Sequence, residues 1–574
     1  MKKIEIYFIF FLFFLLSLII GNRLFFIQIK NGDYWQAIAK GQQLSLKESV
    51  GERGNFFLED GKKILAKNIK KNIIYVFPEK IEDKEKTAEI LEAIFNQPKE
   101  EILVELEKNQ TFKKEIDDSQ FQKLEEQTIK GVSGNEIQKR FYPQNSLAAS
   151  LIGFVNEAGN GQYGIEGYFD DLIKGKQGFQ KEQRAPLGYL TLFSSGEDDL
   201  NPPQPGSDLI LTLDYNIQFF SEKILKEAKE KWDIDLGEVI VVEPTTGKII
   251  SLATFPSFNP NQYQKETDFE IFRNGAVQRL FEPGSVFKPI TMAAALEEDL
   301  ITPETTYEDK GYVNVGGPSI YNYGKRVWGK QSMTNVLEKS INTGAIFVEQ
   351  ELGGKLFLKY LEKFGFFEKT KIDLQGEEFS ANEVLRQGYP RDFATASFGQ
   401  GIEITSIQLV RAFGAIANGG KLMRPYVVEK IIKDSGEEIE IQPEIQGEVI
   451  SETTAAKLTS MLVSVVENGY GKSAGIEGYF IAGKTGTAQI PLKEGGYFED
   501  KTIQSFMGYL PATNPRVLIF IKLDNPKGVK TAEYSAAPLF RELAKYIIDL
   551  WQIPPEGEES KLSSSPFATA RERE

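Results

Sequence analysis

The 574-residue chain contains neither cysteine nor histidine, and these two absences remove several kinds of chemistry. Without cysteine there is no disulfide, no thiol nucleophile and no thiolate metal site. Without histidine there is no Ser-His-Asp triad and none of the usual zinc sites. A serine nucleophile in this chain would therefore need another base, for which lysine is the obvious candidate.

Positive charge is also scarce, since 67 Lys and Arg residues stand against 82 Asp and Glu residues, a net charge of −15. Nucleic-acid binding needs a basic face, so this balance argues against a nucleic-acid partner. Hydrophobic residues make up 41% of the chain and charged residues 26%, which fits folded domains. The length is too great for one hydrophobic core, so at least two domains are expected.

One long apolar run stands near the start of the chain. Residues 4–20 read IEIYFIFFLFFLLSLII, and as a helix they would reach about 25 Å, close to the ~30 Å hydrocarbon core of a bilayer. Lys2 and Lys3 precede the run and predict a cytoplasmic N-terminus. A cleaved signal peptide is the alternative, but the run exits into GNRLFF, which has no small-residue cleavage pattern. We therefore expect a retained single anchor in the cytoplasmic membrane, with the rest of the chain outside the cytoplasm.

The region after this run, up to about residue 205, is rich in Lys and Glu. Residues 84–95 carry apolar side chains at helical spacing, and Pro98 opens a second short helix. A proline-rich segment at 201–206 indicates a domain boundary. The last stretch, 554–574, is rich in Pro, Glu and Ser and is predicted to be disordered.

Beyond residue 206 the pattern changes from helical spacing to short β-rich runs. Residues 238–242 and 248–253 predict a hairpin, and residues 505–510 and 517–523 predict another strand pair. Helical segments such as 406–417 lie between these pairs. Strands at both ends of a region with helices between them predict an α+β domain whose sheet joins distant segments.

The first motif that could carry chemistry is Ser285-x-x-Lys288, which follows Pro283-Gly284, a helix-start signal. Residues three apart share a face of a helix, so the Lys288 amine can lie beside the Ser285 hydroxyl. The helix N-terminus would also favour negative charge on Ser285. Alone, the pattern is weak, because an ordinary capped helix explains it equally well.

The second motif, Ser340-Ile341-Asn342, places a hydroxyl and a carboxamide two residues apart. Ser and Asn are common in turns and caps, so this motif alone carries almost no information.

The third motif is Lys484-Thr485-Gly486-Thr487, which predicts a strand with a cation, two hydroxyls and a glycine that lets a substrate backbone approach closely. Residues 478–485 also fit the phosphate-loop pattern G-x4-G-K-[ST]. That loop needs a helix after Lys-Thr, which Gly486 and Pro491 oppose. We therefore reject a nucleotide site.

Together the three motifs are far more specific, because their order is that of penicillin-binding proteins and serine β-lactamases. This chemistry uses lysine as its base, which accounts for a serine site without histidine. The chain resembles class B penicillin-binding proteins over about nine-tenths of its length. Residues 206–550 are similar to the transpeptidase domain, with matching stretches at 281–288, 397–402 and 483–489.

The preceding region resembles the non-catalytic pedestal of that family, as in Arg53-Gly54, RFYP at 140–143 and GIEGY at 164–168. Departures from the family pattern occur at 58–61 and 371–377 and weaken assignment to a subfamily. The segments around 505–511 and 517–526 look more like the division type than the elongation type.

The resemblance implies a membrane-anchored two-domain α+β chain with an elongated pedestal and a β-lactamase-like domain, an antiparallel sheet with helices. The expected divisions are a cytoplasmic tip and anchor at 1–21, a pedestal of the dimerisation type at 22–205, a transpeptidase domain at 206–553, and a tail at 554–574. It implies as partners peptidoglycan stem peptides, β-lactams, a membrane-embedded glycosyltransferase and other wall-synthesis proteins, with no metal or cofactor.

The resemblance also implies the role of each site residue. Ser285 attacks the penultimate D-Ala carbonyl, Lys288 takes its proton, and Ser340 with Lys484 relays a proton to the departing D-Ala. The backbone N–H groups of Ser285 and Thr487 form the oxyanion hole. Asn342 binds the substrate amide, and Lys484, Thr485 and Thr487 on the Gly486-containing strand hold the terminal carboxylate.

Four other functions use related motifs. A D,D-carboxypeptidase would use the same residues with water as acceptor, and the long pedestal and anchor argue against it. A β-lactamase needs a group that activates water, and no Glu-x-x-Leu-Asn signature is present. A bifunctional class A enzyme needs a glycosyltransferase motif that includes histidine. A sensor or scaffold would only be acylated, without transferring the acyl group to an amine.

Overall fold

A computed structural model of the chain describes residues 2–26, 44–127, 129–183, 203–492 and 496–556. The chain groups into two compact units, residues 1–53 with 174–206, and residues 54–173 with 207–574. The first unit holds a helix at Lys2–Phe25 and an antiparallel pair of strands, Leu44–Val50 and Gln177–Gln183. Within the part of the chain that the structure describes, no helix is both long and apolar enough to cross a membrane.

A five-stranded antiparallel sheet forms the centre of the second unit. Its strands are β1 (Leu236–Val242), β2 (Ile249–Phe255), β3 (Ala482–Pro491), β4 (Tyr497–Leu510) and β5 (Val517–Asp524). Their order is β2-β1-β5-β4-β3. The predicted hairpin and strand pair are therefore confirmed, and the strand with the Lys-Thr-Gly motif, β3, lies at the edge of the sheet.

Both faces of this sheet are covered by helices. Val239 and Ile519 point into one hydrophobic core, and their neighbours Ile240 and Phe520 point into the other. Helices Tyr215–Trp232 and Ala536–Trp551 pack on the first face, and helices Ser406–Ala417 and Glu452–Glu467 pack on the second face. Because both faces are buried, β1 and β5 read as nearly continuous apolar runs.

A second, seven-stranded sheet joins the two sides of the predicted domain boundary. Strand Phe56–Phe57 pairs with Ile64–Val76 on one side and, in parallel, with Asp208–Leu211 on the other. Asp208–Leu211 in turn pairs with Val428–Ile432. The division into a pedestal at 22–205 and a transpeptidase domain at 206–553 stays a prediction, and residues 557–574 of the predicted tail lie outside the described residues.

The remaining α-helices of the second unit have these bounds: Lys84–Phe95, Lys99–Glu107, Asp118–Glu125, Ala149–Ile152, Gly164–Tyr168, Asp170–Ile173, Gly275–Gln278, Lys288–Glu297, Met333–Glu338, Asn342–Leu352, Gly354–Lys363, Glu383–Arg386 and Pro390–Ala396. The remaining strands are Phe112–Ile116, Val132–Phe141, Phe154–Val155, Gly161–Gln162, Leu280–Phe281, Thr306–Asp309, Tyr312–Val313, Ile320–Tyr321, Gly329–Ser332, Ile404–Thr405, Lys421–Met423, Glu438–Glu440 and Ile445–Glu448.

Residues at the helix ends account for the positions of the predicted helices. Asp83 caps Lys84–Phe95 by accepting a hydrogen bond from the Lys86 N–H at 3.0 Å, and the apolar face of that helix is buried in a small core of its own. Thr405 and Gln408 form a capping box at the start of Ser406–Ala417. Pro98 stands at the N-cap of the second short helix, as expected.

A buried ion pair connects two of the family-like motifs of the pedestal region. The Nε of Arg140 donates to the Glu166 carboxylate at 2.7 Å, and its Nη1 donates to the Gly54 carbonyl at 2.7 Å. The Tyr142 hydroxyl donates to the same Glu166 oxygen at 3.1 Å. Glu166 is fully buried, so this contact holds the RFYP and GIEGY segments together without water.

We predict that Glu166→Leu destabilises the protein by about 3–5 kcal/mol, because it leaves the Arg140 guanidinium buried without its carboxylate. The double variant Arg140→Met/Glu166→Leu should recover much of that loss, since the Arg140 charge is then no longer buried without its carboxylate. Urea unfolding followed by circular dichroism would measure both. Glu136→Gln, at an exposed pair with Lys70, is the matched control and should change the unfolding free energy by less than about 1 kcal/mol. A Glu166→Leu effect as small as that of the control would contradict the prediction.

Candidate active site

Ser285 lies in a short 3₁₀ turn, Gly284–Phe287, that leads directly into the buried helix Lys288–Glu297. In 3₁₀ geometry the side chains at positions i and i+3 eclipse each other. The Lys288 Nζ is therefore only 3.1 Å from the Ser285 Oγ. Pro289 falls in the first turn of the helix, where it removes no hydrogen bond, as expected.

The Ser-x-Asn motif reaches the same lysine from the junction between helices Met333–Glu338 and Asn342–Leu352. Lys288 Nζ donates to the Ser340 carbonyl at 2.6 Å and to Asn342 Oδ1 at 2.8 Å, and lies 3.3 Å from Ser340 Oγ. Ser340 adopts a left-handed backbone conformation, with φ of 54°. Such a conformation is costly for a residue with a side chain, and here it turns both Ser340 oxygens toward Lys288.

Lys484, on the edge strand β3, also contacts Ser340, from the side opposite Lys288. Its Nζ donates to Ser340 Oγ at 3.0 Å and to the Thr485 carbonyl at 3.0 Å, and lies 3.4 Å from Thr485 Oγ1. The Ser340 hydroxyl thus stands between two amines. Thr487 Oγ1, two residues along the strand, accepts a hydrogen bond from the Ala532 N–H at 3.3 Å.

Both lysine amines are buried, with exposed fractions of 1% for Lys288 and 0% for Lys484. Burial, with the nearby Lys484 charge as a smaller cause, holds the pKa of Lys288 well below its ordinary value. Burial lowers the pKa of Lys484 to about 7. Burial and the Lys484 charge both favour the uncharged amine of Lys288, which is the form that can accept a proton.

Glycines let the nucleophile turn approach strand β3 and the segment around Gly399 closely. A Cβ on Gly486 would lie 2.8 Å from Val286 Cγ1 and 2.5 Å from Ser505 Oγ. In the structure this glycine makes room for the nucleophile turn, and the close approach of a substrate backbone to it stays a prediction. Gly284, with φ of 61°, likewise leaves space for Ala488, and its N–H donates to the Gly399 carbonyl at 2.9 Å.

The motifs did not reveal a buried carboxylate next to the nucleophile turn. Glu282 accepts hydrogen bonds from the Tyr497 hydroxyl, at 2.9 Å, and from the Gly401 N–H, and its burial raises its pKa. Tyr497 begins β4, so this contact ties the end of the β3–β4 hairpin to the turn that carries Ser285. The sequence held one signal, a glutamate directly before Pro-Gly, but its partner is 215 residues away.

The phosphate-loop alternative does not fit the backbone. Lys484 and Thr485 belong to strand β3, which continues to Pro491 where the phosphate loop would require a helix. As an edge strand, β3 also has one row of backbone N–H and C=O groups that faces away from the sheet. An extended peptide could pair with those groups as an added strand.

Comparison with known proteins agrees with this geometry. A family model described as the penicillin binding protein transpeptidase domain matches residues 237–545. A model described as the penicillin-binding protein dimerisation domain matches residues 48–211.

Three similar proteins show the extent of the likeness. Stage V sporulation protein D of Bacillus subtilis is 34% identical over 532 residues, which are 91% of this chain and 82% of that protein. The peptidoglycan D,D-transpeptidase FtsI homolog of Mesostigma viride is 28% identical, with 94% of each chain covered. The crystal structure of penicillin binding protein 3 from Mycobacterium tuberculosis, complexed with aztreonam, has a TM-score of 0.70 at 26% identity and covers 89% of this chain and 98% of that one.

The two matching domains and the likeness over nearly the whole chain define the family: this chain belongs to the class B penicillin-binding proteins. The three motifs that carry the site therefore lie in a penicillin-binding transpeptidase fold of the α+β class.

The pKa of Lys288 predicts how acylation by a penicillin depends on pH. The neutral amine is the reactive form, so the rate should rise with pH through the pKa of Lys288, well below the ordinary lysine range. Because the Lys484 charge helps to lower that pKa, Lys484→Gln should move this rising limb to higher pH, besides lowering the plateau.

Stopped-flow acylation rates between about pH 5 and about pH 10 would test this shift, since that range lies below the ordinary lysine pKa of about 10.4. Lys355→Gln, which removes an exposed cation from helix Gly354–Lys363, should leave the limb in place. A rising limb that Lys484→Gln leaves unmoved, or moves to lower pH, would contradict the assignment of Lys288 as the base.

Proposed function

We propose that this penicillin-binding protein crosslinks peptidoglycan stem peptides as a D,D-transpeptidase, through an acyl-enzyme on Ser285. The single observation that carries the proposal is the Lys288 amine, which lies 3.1 Å from the Ser285 hydroxyl and whose burial holds its pKa well below the ordinary value. β-Lactams acylate the same serine and so inhibit the enzyme. Relatives support this reaction, since one is named a peptidoglycan D,D-transpeptidase and another was solved with aztreonam.

The hydrogen bonds of Lys288 leave its lone pair for the nucleophile. The Ser340 carbonyl and Asn342 Oδ1 can only accept hydrogen bonds, and they lie at 2.6 and 2.8 Å. They therefore take the two hydrogens of the neutral amine, and the lone pair faces the Ser285 hydroxyl. Lys288 takes the proton as Ser285 Oγ attacks the carbonyl of the penultimate D-Ala.

The proton then has a short route to the leaving group. Ser340 Oγ lies 3.3 Å from Lys288 Nζ and 3.0 Å from Lys484 Nζ. As the C–N bond of the terminal D-Ala breaks, Ser340 passes a proton to its nitrogen and is resupplied from Lys288. An acceptor amine next attacks the acyl carbon, a new C–N bond forms, and Ser285 regains its proton.

The remaining contacts would orient the peptide. The backbone N–H groups of Ser285 and Thr487 would bind the developing oxyanion, at the turn and on the edge strand that Gly486 brings together. Lys484, Thr485 and Thr487 would hold the terminal carboxylate. Asn342 Nδ2 donates to the Tyr321 carbonyl at 3.3 Å, which leaves its second hydrogen for the substrate amide.

The β-lactamase and D,D-carboxypeptidase alternatives both require efficient attack by water. Water attack on an acyl-serine needs a placed general base. Within the described chain, the hydrogen bonds of Lys288, Ser340, Asn342 and Lys484 include no carboxylate. The carboxylate nearest to Ser285 in sequence, Glu282, accepts hydrogen bonds from the Tyr497 hydroxyl and the Gly401 N–H. This arrangement favours an amine as the acceptor.

We expect one equivalent of penicillin to react rapidly, followed by very slow turnover. The opened ring stays on Ser285 and blocks an amine, and among the described residues no carboxylate is hydrogen-bonded to the site lysines to activate water. Nitrocefin hydrolysis should show a burst with almost no steady state, and mass spectrometry should find the adduct on Ser285. Ser285→Ala is the control and should retain no adduct. Sustained hydrolysis at a typical enzyme rate, on the order of 10 per second, would instead indicate a β-lactamase.

We further propose that the chain is anchored in the cytoplasmic membrane by residues 4–20, with the catalytic domain outside the cytoplasm. The support is the apolar run itself, preceded by Lys2 and Lys3. We also propose a division-type role, beside a membrane-embedded glycosyltransferase that supplies the glycan strands. The support is the likeness of the 505–511 and 517–526 segments to the division type.

An N-terminal fluorescent fusion tests both proposals in one strain. The label should concentrate at the septum rather than along the lateral wall. In spheroplasts, added protease should digest the catalytic domain while the fused fluorescent protein, inside the cell, survives. A Ser285→Ala fusion controls for localisation that depends on activity. Protection of the catalytic domain would refute the topology, and a uniform lateral signal would refute the division role.

A further inference from the structure

Next to the Ser-x-Asn motif stands a short turn, residues 321–326, with the sequence Tyr-Asn-Tyr-Gly-Lys-Arg. The turn touches the active site directly, because Asn342 Nδ2 donates to the Tyr321 carbonyl at 3.3 Å. Lys325 follows after a tight bend in which its N–H donates to the Asn322 carbonyl at 2.9 Å. Lys325 and Arg326 follow Tyr321 by four and five residues, so their backbones lie within about 14 and about 18 Å of it.

The 321–326 turn is held rigidly by one buried carboxylate. Asp309, with an exposed fraction of 2%, accepts hydrogen bonds from Asn322 Nδ2 and, at 2.6 Å, from the Thr343 hydroxyl. It also accepts one from the Trp328 N–H at 2.8 Å. Thr343 is the residue after Asn342, so the same carboxylate fixes the turn and the Ser-x-Asn motif relative to each other.

The turn is basic and aromatic in a chain whose net charge is −15. Residues 310–337 contain Lys310, Lys325, Arg326 and Lys330 but no Asp or Glu. Lys325 Nζ lies 5.2 Å from the Tyr321 ring centroid, and Arg326 donates to the Tyr470 hydroxyl at 2.6 Å. Among the described residues, neither Lys325 nor Arg326 forms a salt bridge, so both keep their charge available to a ligand.

Aromatic rings cover the same surface. Tyr312 and Tyr321 face each other across a two-stranded pair, with ring centroids 6.0 Å apart, and both rings are about half exposed. Tyr323, at the tip of the turn, has an exposed fraction of 61%. A cationic edge beside exposed rings fits an extended peptide with a carboxylate side group, because the rings cover apolar parts and the cations pair with the anion.

We propose that the 321–326 turn binds the donor stem peptide on the N-terminal side of the scissile bond, and that Lys325 and Arg326 select donors with a free carboxylate there. The proposal rests on the proposed transpeptidase function, in which Asn342 holds the donor amide next to this turn. Lys325 and Arg326 are specificity-determining residues and take no part in the bond-breaking steps.

The test compares two synthetic donors that end in D-Ala-D-Ala and differ only upstream, one with a free carboxylate and one with a carboxamide. We expect the full chain to release D-Ala from the carboxylate donor with a kcat/KM about tenfold higher, as two exposed ion pairs would give. Lys325→Gln/Arg326→Gln should lose this preference. Raising the ionic strength should reduce it in the unaltered protein, because salt screens exposed charges.

Two controls separate the possible failures. Lys355→Gln/Lys359→Gln removes the same charge from the exposed side of helix Gly354–Lys363 and should keep the preference. Penicillin G has no carboxylate in the acylamino group upstream of its reactive carbonyl, so its acylation rate should stay within about twofold in every variant, which also shows that each variant is folded. Equal use of both donors by the unaltered protein, or equal loss in the control variant, would overturn the inference. Failure to release D-Ala from either donor would refute the transpeptidase function itself.

Discussion

Two buried amines meet at one hydroxyl, and the rest of the active site depends on that arrangement. An ammonium group loses much of its hydration on burial, so two such groups near each other favour loss of a proton. The Ser340 hydroxyl lies within 3.3 Å of both Lys288 and Lys484 Nζ. Packing alone therefore favours an uncharged amine that can act as a base, and no histidine is needed.

Keeping the amines in place requires that three distant segments pack without gaps. The nucleophile turn packs on the edge strand through Gly284 and Gly486, where even a methyl group would collide with Ala488 or Val286. The helix that follows Ser285 is buried from Lys288 to Leu296. Because protein interiors are packed as densely as organic crystals, a small displacement of any segment would change the distances between the reacting atoms.

Much of this architecture could be predicted from the sequence because it depends on local patterns. The Ser285–Lys288 contact follows from a spacing of three residues, and the strand pairs and helix caps follow from short-range signals. The left-handed backbone at Ser340 could not be read from its motif, since Ser is common in ordinary turns. The contact between Glu282 and Tyr497 spans 215 residues and depends on how the hairpin end meets the turn.

The role of Gly486 likewise could not be predicted in full from the sequence. A glycine in a strand indicates a close approach, but the sequence does not say by what. Only the packing of β3 against Val286 shows that the approaching group is the protein itself.

This tight packing bears on how drug resistance could arise in such an enzyme. In the proposed mechanism a β-lactam and a stem peptide react with the same serine, and they share the lysines and the edge strand that surround it. Substitutions there would harm cell-wall synthesis as much as they hinder the antibiotic. Resistant variants altered at the centre of the site would therefore not be selected. Resistance with retained growth must come from the border of the cleft, where a long peptide makes contacts that a small antibiotic does not.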